Sequence, residues 1–181
     1  MVSNKICVVG TVGLPARYGG FETLVENLAD YHSTSSATSE LIVYCSGPSY
    51  DNRVNTYRNT KLLYVELKAN GVQSILYDIV SIMKSVKAGA SVILVLGVSG
   101  AIALPFVRAF CSARIVTNID GLEWKREKWG RFARWFLKWS EKIAVRQSHV
   151  VIGDNQAICD YIRAEYGESC LLYTSPSPRD S

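Results

Sequence analysis

The sequence lacks the residue patterns that mark several common classes of protein. Its five cysteines form no CxxC pair and no Cys/His spacing typical of zinc, so no metal site is predicted. The two histidines, His32 and His149, have no Ser, Cys or carboxylate partner at a spacing typical of catalysis. The glycine fingerprint GxGxxG of dinucleotide-binding domains is also absent. These absences argue against a metalloenzyme, a hydrolase with a catalytic histidine and a nicotinamide-dependent oxidoreductase.

Long apolar runs are scarce as well. Met1–Lys5 is polar, and the apolar run Ile6–Val9 is too short for a secretory signal. Val92–Val107 is uncharged, but it is shorter than a comfortable membrane span and contains two glycines and a proline. We therefore expect a cytoplasmic protein with reduced cysteines, in which this run is a buried strand followed by a loop and a helix.

The positive charge is concentrated in one segment, although the whole chain carries only +4. Residues 124–146 hold eight Lys and Arg against two Glu, together with all four tryptophans. The spacing predicts an amphipathic helix that either covers the sheet with its aromatic face or binds an anionic membrane. Nucleic acid is not expected as a partner, because no recognition motif accompanies the charge. The residues that would contact the membrane are Lys125, Arg126, Arg131, Arg134 and Lys138.

Short apolar runs alternate with segments of helical periodicity along most of the chain. Such runs, separated by helices, are typical of a parallel sheet covered on both faces, so we predict a Rossmann-like, doubly wound α/β domain. Ligands of such sheets bind outside the carboxyl ends of the strands. The predicted strands are Lys5–Val9, Glu40–Cys45, Leu62–Glu66, Val92–Leu96, Arg114–Asn118 and His149–Gly153.

The loop after the first predicted strand, Gly10–Thr23, contains the first candidate site. Gly19 and Gly20 immediately precede a predicted helix, where unhindered amides and the helix dipole suit a phosphate or diphosphate. Arg17 would donate to the same anion. The alternative, left open by the residues alone, is that the glycines merely turn the chain.

Two further loops follow predicted strands. Asp120 and Glu123 in the loop after the fifth strand are placed to accept hydrogen bonds from sugar hydroxyls, or else to cap the next helix. In the loop after the sixth strand, Asp154 or Asn155 is expected to be a helix N-cap rather than a ligand-binding residue.

Five segments in order resemble bacterial glycosyltransferases of the rhamnosyltransferase type, close to glycosyltransferase family 4. The segments are Pro15–Thr23 (PARYGGFET), Leu67–Ile79 (LKANGVQSILYDI), Val95–Pro105 (VLGVSGAIALP), Asp120–Gly130 (DGLEWKREKWG) and Gly153–Ile162 (GDNQAICDYI). The resemblance implies the N-terminal half of a GT-B enzyme, which has two Rossmann-like domains and needs no metal or other cofactor.

The resemblance also assigns roles. The enzyme would transfer a sugar, rhamnose from dTDP-rhamnose, to a lipid-linked precursor of cell-surface polysaccharide at the inner face of the membrane. Gly19, Gly20 and Arg17 would bind the donor diphosphate, and Asp120 would be catalytic. Glu22 and Glu123 would bind the acceptor. The alternative from another class of protein is a non-catalytic sugar- or phosphate-binding module.

The end of the chain breaks the pattern of the rest. Cys170–Asp180 reads CLLYTSPSPRD, which matches the translation of a tagmentation sequencing adapter. We therefore expect a glycosyltransferase domain over residues 1–169 and a non-native segment over residues 170–181. The gene is then expected to continue into a donor-binding domain, without which the chain would be inactive.

Overall fold

The elements of the fold are taken from a computed structural model, which describes residues 4–17, 19–36, 38–127 and 129–173. Lys128 of the basic segment and residues 174–181 of the predicted adapter segment lie outside the described residues. The strands are β1 (Lys5–Val9), β2 (Glu40–Ser46), β3 (Thr56–Tyr57), β4 (Thr60–Val65), β5 (Val92–Leu96), β6 (Arg114–Ile119), β7 (Val150–Gly153) and β8 (Leu171–Leu172). The helices are α1 (Gly20–Thr34), α2 (Gln73–Lys87), α3 (Leu104–Phe110), α4 (Arg131–Gln147) and α5 (Gln156–Tyr166).

The described strands form one sheet in the order β3-β4-β2-β1-β5-β6-β7-β8. Neighbouring strands pair in parallel, except that β3 runs antiparallel to β4. The order reverses direction between β1 and β5, which is the point where ligands bind in open α/β sheets. The predicted Rossmann-like α/β fold is therefore confirmed, and all six predicted strands are present.

Two apolar clusters lie on opposite faces of this sheet. Cys7 and Val9 of β1 pack in one cluster with residues of α2, α3, α4 and α5, whereas Val8 packs in the other with α1. Successive side chains of a strand point to opposite faces, so this division places α1 alone on its side of the described structure. The single helix covers β1, β2 and β4. It leaves open the other half of that face of the sheet, which we call the α1 face.

The open half of the α1 face is apolar. Its side chains alternate with fully buried ones along β5, β6 and β7, and each is only partly buried. On the opposite side of the same strands, Ile93 and Ile115 are completely buried beneath the four other helices. The partly buried residues are Val92, Leu94, Val116, Val150 and Ile152.

The sequence did not predict β3 or β8, because two-residue strands carry no periodic pattern. β3 is an edge strand, joined to β4 through Arg58 and Asn59 with φ of 47° and 60°. β8 is formed by two residues of the predicted adapter segment, which pair with Ile152 and Gly153 of β7. The origin of that segment stays a prediction.

Candidate functional site

The loop between β1 and α1 is held in place by a buried carboxylate. Oε1 of Glu22 accepts hydrogen bonds from the Thr11 hydroxyl at 3.1 Å and from the Val12 amide at 2.9 Å. The hydroxyl of Tyr77, buried in α2, donates to the Thr11 carbonyl at 2.8 Å. The structure thus shows Glu22 as an anchor of the loop, while its predicted contact with an acceptor stays a prediction.

Gly19 lies where this anchor requires a glycine. Its φ is 127°, and a Cβ built on it would lie 2.0 Å from Oε2 of Glu22. Gly20, the first residue of α1, has nothing within 4 Å of the same hypothetical atom. The start of α1 is therefore open to a ligand, although the Glu22 carboxylate already interacts with the positive end of its dipole.

Arg17 lies on the other side of β1 from Asp120. Its guanidinium donates to the Ser49 carbonyl at 3.0 Å and lies 4.9 Å from the centre of the Tyr50 ring. Both partners follow β2, which is the neighbour of β1 opposite to β5. The structure therefore brings Arg17 to the carboxyl end of β2 and leaves its predicted contact with a diphosphate as a prediction.

Asp120 and Glu123 line a surface depression immediately after β6. The depression has a volume of about 290 Å³, and Gly121, Leu122 and Arg126 complete its lining. Glu123 forms an ion pair with Arg126 through one oxygen and accepts from Nε1 of Trp129 at 3.2 Å through the other. The fixed Glu123 thus forms a wall beside Asp120.

The environment of Asp120 makes its carboxylate more basic than usual. Partial desolvation, followed by the negative charges of Glu123 and Asp154, raises the pKa of Asp120 above its ordinary value. Desolvation also raises the pKa of Asp154 at the end of β7. Two carboxylates with raised pKa values at adjacent strand ends are typical of a functional edge.

Asn118 is a polar residue of this edge that the sequence analysis did not assign a role. It is 3% exposed, and its Oδ1 has no hydrogen-bond partner in the part of the chain that the structure describes. The backbone carbonyl of Asn118 accepts a hydrogen bond from the Gly97 amide at 2.9 Å. Gly97 in turn faces the ring of Phe21 at the start of α1, since a Cβ there would lie 3.6 Å from Cε2. Asn118 therefore links the loop after β6 to the loop before α1. The sequence feature that could have identified it is a polar residue at the end of an apolar strand.

The loop after β7 has the structural role that the sequence predicts. Oδ1 of Asn155 accepts from the Ile158 amide at 3.0 Å, so Asn155 is the N-cap of α5. Asp154 accepts from the Asn155 side chain at 2.8 Å. The expected capping function is thus confirmed for Asn155.

The family model described as domain of unknown function (DUF1972) matches residues 3–175. The chain belongs to this family. None of the curated proteins matches it.

Solved structures with the DUF1972 fold include sucrose-phosphate synthase from Thermosynechococcus elongatus. That structure has a TM-score of 0.74 and 12% identity over 96% of this chain, which spans 48% of the synthase chain. A shorter chain of the same synthase has a TM-score of 0.62 and 10% identity, with coverage of 97% of this chain and 91% of its own. At such low identity the likeness shows the fold, and the DUF1972 chain corresponds to about half of the longer synthase chain.

Part of the aromatic face of α4 points away from the sheet in this DUF1972 chain. Leu137, Ser140 and Ala144 are buried on the inner side of the helix. Phe132, Trp135 and Trp139 are 79%, 62% and 46% exposed. The predicted aromatic face is therefore divided. Trp129, Phe136 and Ile143 are partly buried and pack against the core, whereas Phe132, Trp135 and Trp139 lie outside.

Of the five basic residues predicted to contact a membrane, three are exposed and two are partly buried. Lys125, Arg126 and Arg131 are exposed, although Arg126 pairs with Glu123. Arg134 is partly buried, and its Nε is enclosed without a hydrogen-bond partner among the described residues. Lys138 turns inward toward Glu141, Glu165 and three aromatic rings.

Over the described residues there is no group of three or more His, Cys, Asp or Glu side chains placed to hold a metal. No helix in the described ranges is both long enough and apolar enough to cross a bilayer.

Proposed function

We propose that this chain is the N-terminal half of a glycosyltransferase that moves a sugar from a nucleotide donor to a lipid-linked acceptor. The single observation that carries the proposal is Asp120, a carboxylate with a raised pKa in a depression at the carboxyl edge of the sheet. The fold of the matched half of sucrose-phosphate synthase supports it, because that name describes an enzyme that joins sugars.

The proposed mechanism uses Asp120 as the acceptor of a hydrogen bond from the hydroxyl that attacks the sugar. A carboxylate whose pKa lies above its ordinary value is a stronger base for that proton. Asn118 lies on β6 two residues before Asp120, but its Oδ1 is buried, so no contact with the sugar is assigned to it.

The donor diphosphate would lie at the start of α1. Gly19 and Gly20 expose backbone amides at the positive end of the helix dipole, and fixed amides stabilise the charge that develops on a leaving diphosphate. We further propose rhamnose from dTDP-rhamnose as the donated sugar and the cytoplasmic face of the membrane as the place of transfer. Both proposals follow from the sequence resemblance, which also implies that the transfer requires no metal ion.

The experiment uses the product of the reading frame continued beyond codon 169. Radiolabelled dTDP-rhamnose is supplied with a membrane lipid extract, and transfer is measured as label that becomes soluble in organic solvent. Asp120→Asn is expected to lower kcat by about a hundredfold or more, which is typical for loss of a general base. Asp160→Asn, at an exposed carboxylate of α5, is the matched control and should retain activity.

Full activity of Asp120→Asn would contradict the role of Asp120. The 181-residue chain itself is expected to transfer no sugar, because donor contacts would come from the second domain. If this chain instead bound dTDP tightly in a calorimeter and the continued frame encoded no second domain, the non-catalytic binding module would replace the transferase.

A further inference from the structure

The outer face of α4 exposes more aromatic surface than a soluble helix normally does. Phe132, Trp135 and Trp139 follow one another at spacings of three and four residues, and the planes of the two tryptophans are parallel to within 1°. Exposed apolar patches of this kind mark interaction sites. The face therefore needs a partner that accepts large aromatic side chains.

Cations border this aromatic row along the whole helix. Arg131, Lys142 and Arg146 are exposed on the same outer face, whereas Glu141, the one acidic residue within α4, is almost fully buried. The partner must therefore also carry negative charge. A second copy of this chain is disfavoured, because a symmetric contact would bring the same cations face to face.

The neighbouring helix α3 enlarges the surface. Phe106 and Phe110 on it are 46% and 74% exposed, and Arg108 between them is exposed as well. α3 and α4 pack side by side on one face of the sheet. Together they present aromatic side chains and cations over two adjacent helices, a surface that we call the α3–α4 face.

A groove between α4 and α5 adds a place for an anionic group. Its volume is about 340 Å³. It is lined by Trp135, Trp139 and Tyr166, by the cations Lys138, Lys142 and Arg146, and by Glu165, whose carboxylate pairs with Lys138 at 2.9 Å. Lys and Arg next to tryptophan form the composition that proteins use at the level of lipid headgroups. A phosphate of a lipid headgroup would meet two cations there while the indole rings contact the upper part of the acyl chains.

We propose that the α3–α4 face binds the surface of an anionic lipid bilayer. Trp135, Trp139 and Phe132 would enter the interface, and Lys142 and Arg146 would contact lipid phosphates. The residues that act differ in part from those predicted by sequence, since Lys138 at the groove wall is already paired with Glu141 and Glu165. α4 begins eleven residues after Asp120, so the proposed bilayer contact adjoins the loop that carries the candidate site.

Bilayer binding can be tested on the 181-residue chain independently of sugar transfer. The chain is floated with vesicles of phosphatidylcholine alone, or of phosphatidylcholine mixed in equal parts with phosphatidylglycerol. We expect binding to the anionic vesicles, with a blue shift of tryptophan fluorescence and quenching by headgroup-proximal spin labels. The double substitution Lys142→Gln with Arg146→Gln should weaken binding about thirtyfold, at about 1 kcal/mol per cation.

The matched controls lie on other helices. Lys84→Gln with Lys87→Gln removes the same charge from exposed positions of α2 and should change binding by less than about threefold. Trp135→Ser with Trp139→Ser should abolish the fluorescence shift and most binding, whereas Tyr31→Ser, at a 73% exposed aromatic of α1, should not. Circular dichroism of each variant checks that the fold is kept.

Three outcomes would overturn the proposal. They are absence of binding to anionic vesicles, equal loss of binding in the α2 and α4 double variants, and self-association through Trp135 and Trp139 without lipid. The last would assign the face to a second copy of the chain. Loss of binding in folded α4 variants alone, with weakening at high salt, would support an anionic bilayer.

Discussion

The buried aspartate of α2 should make the stability of the protein depend on pH. Asp78 is 4% exposed, and its carboxylate accepts a hydrogen bond from the Ser99 hydroxyl. Burial raises the pKa of Asp78 from 3.8 to about 7, although the hydrogen bond from Ser99 acts to lower it. The folded protein therefore holds a proton on Asp78 at pH values where the unfolded chain has released it.

The sign and size of the effect follow from this difference. Between about pH 4 and pH 7 the folded state binds one more proton than the unfolded state at this residue, so the free energy of unfolding falls as pH rises. One pKa unit corresponds to about 1.4 kcal/mol, which gives a loss on the order of 4 kcal/mol across the window. Above pH 7 the loss from Asp78 is complete and the curve flattens.

Urea unfolding of the wild-type chain and of Asp78→Asn at pH 5 and pH 8 measures this loss. The amide keeps the size of the side chain and has no charge to titrate, so the two proteins should be about equally stable at pH 5. At pH 8 the variant should be more stable by several kcal/mol, on the order of the loss worked out from the pKa. Ser99→Ala should move the pH-dependent loss of stability to higher pH, because it removes the hydrogen bond that favours the charged form of Asp78. Parallel pH profiles for wild type and Asp78→Asn would refute the reasoning.

Four further substitutions test the packing. Glu141→Leu should lower the free energy of unfolding by about 3–5 kcal/mol in urea titrations, because it leaves Trp124, Tyr161 and Tyr166 without their acceptor. Unchanged stability would contradict a stabilising role for these hydrogen bonds. Gly10→Ala should cost about 3 kcal/mol or more by the same measurement, because the added Cβ would lie 2.1 Å from the Leu96 carbonyl oxygen at a φ of 90°. Leu94→Ala should cost about 1 kcal/mol and its neighbour Ile93→Ala about 3 kcal/mol, and equal costs would show that the α1 face of β5 is covered.

The strands and the site loops could be predicted from sequence because both depend on local patterns. Five- and six-residue apolar runs ending at Gly10 or Asn118 have few alternatives to buried parallel strands. The position of a loop after a strand then places Asp120 at the carboxyl edge without further information. Contacts between loops are a different matter, because they depend on strand order. The sequence gives no means of knowing that Glu22 would turn back onto Thr11, or that Arg17 would turn toward Ser49.

The orientation of α4 shows why amphipathic periodicity was not sufficient. The pattern marks an aromatic face, and burial of apolar area at about 25 cal/mol per Å² would favour turning that face inward. The opposite face is instead fixed by Glu141, which is 1% exposed and accepts from Trp124 at 3.1 Å and from Tyr161 and Tyr166 at 2.6 Å. A rotation that buried Trp135 would expose this carboxylate and leave three donors without their acceptor.

Those three donors come from the turn before α4 and from α5, and their convergence cannot be read from α4 itself. A buried carboxylate with several hydrogen bonds is costly to break, at about 3–5 kcal/mol, whereas an exposed aromatic costs only the hydrophobic gain that it forgoes. The Glu141 network, together with the buried Leu137, Ser140 and Ala144, fixes which side of α4 faces the sheet. The aromatic row is left outside as a consequence, and a bilayer would recover the apolar contacts that the fold does not provide.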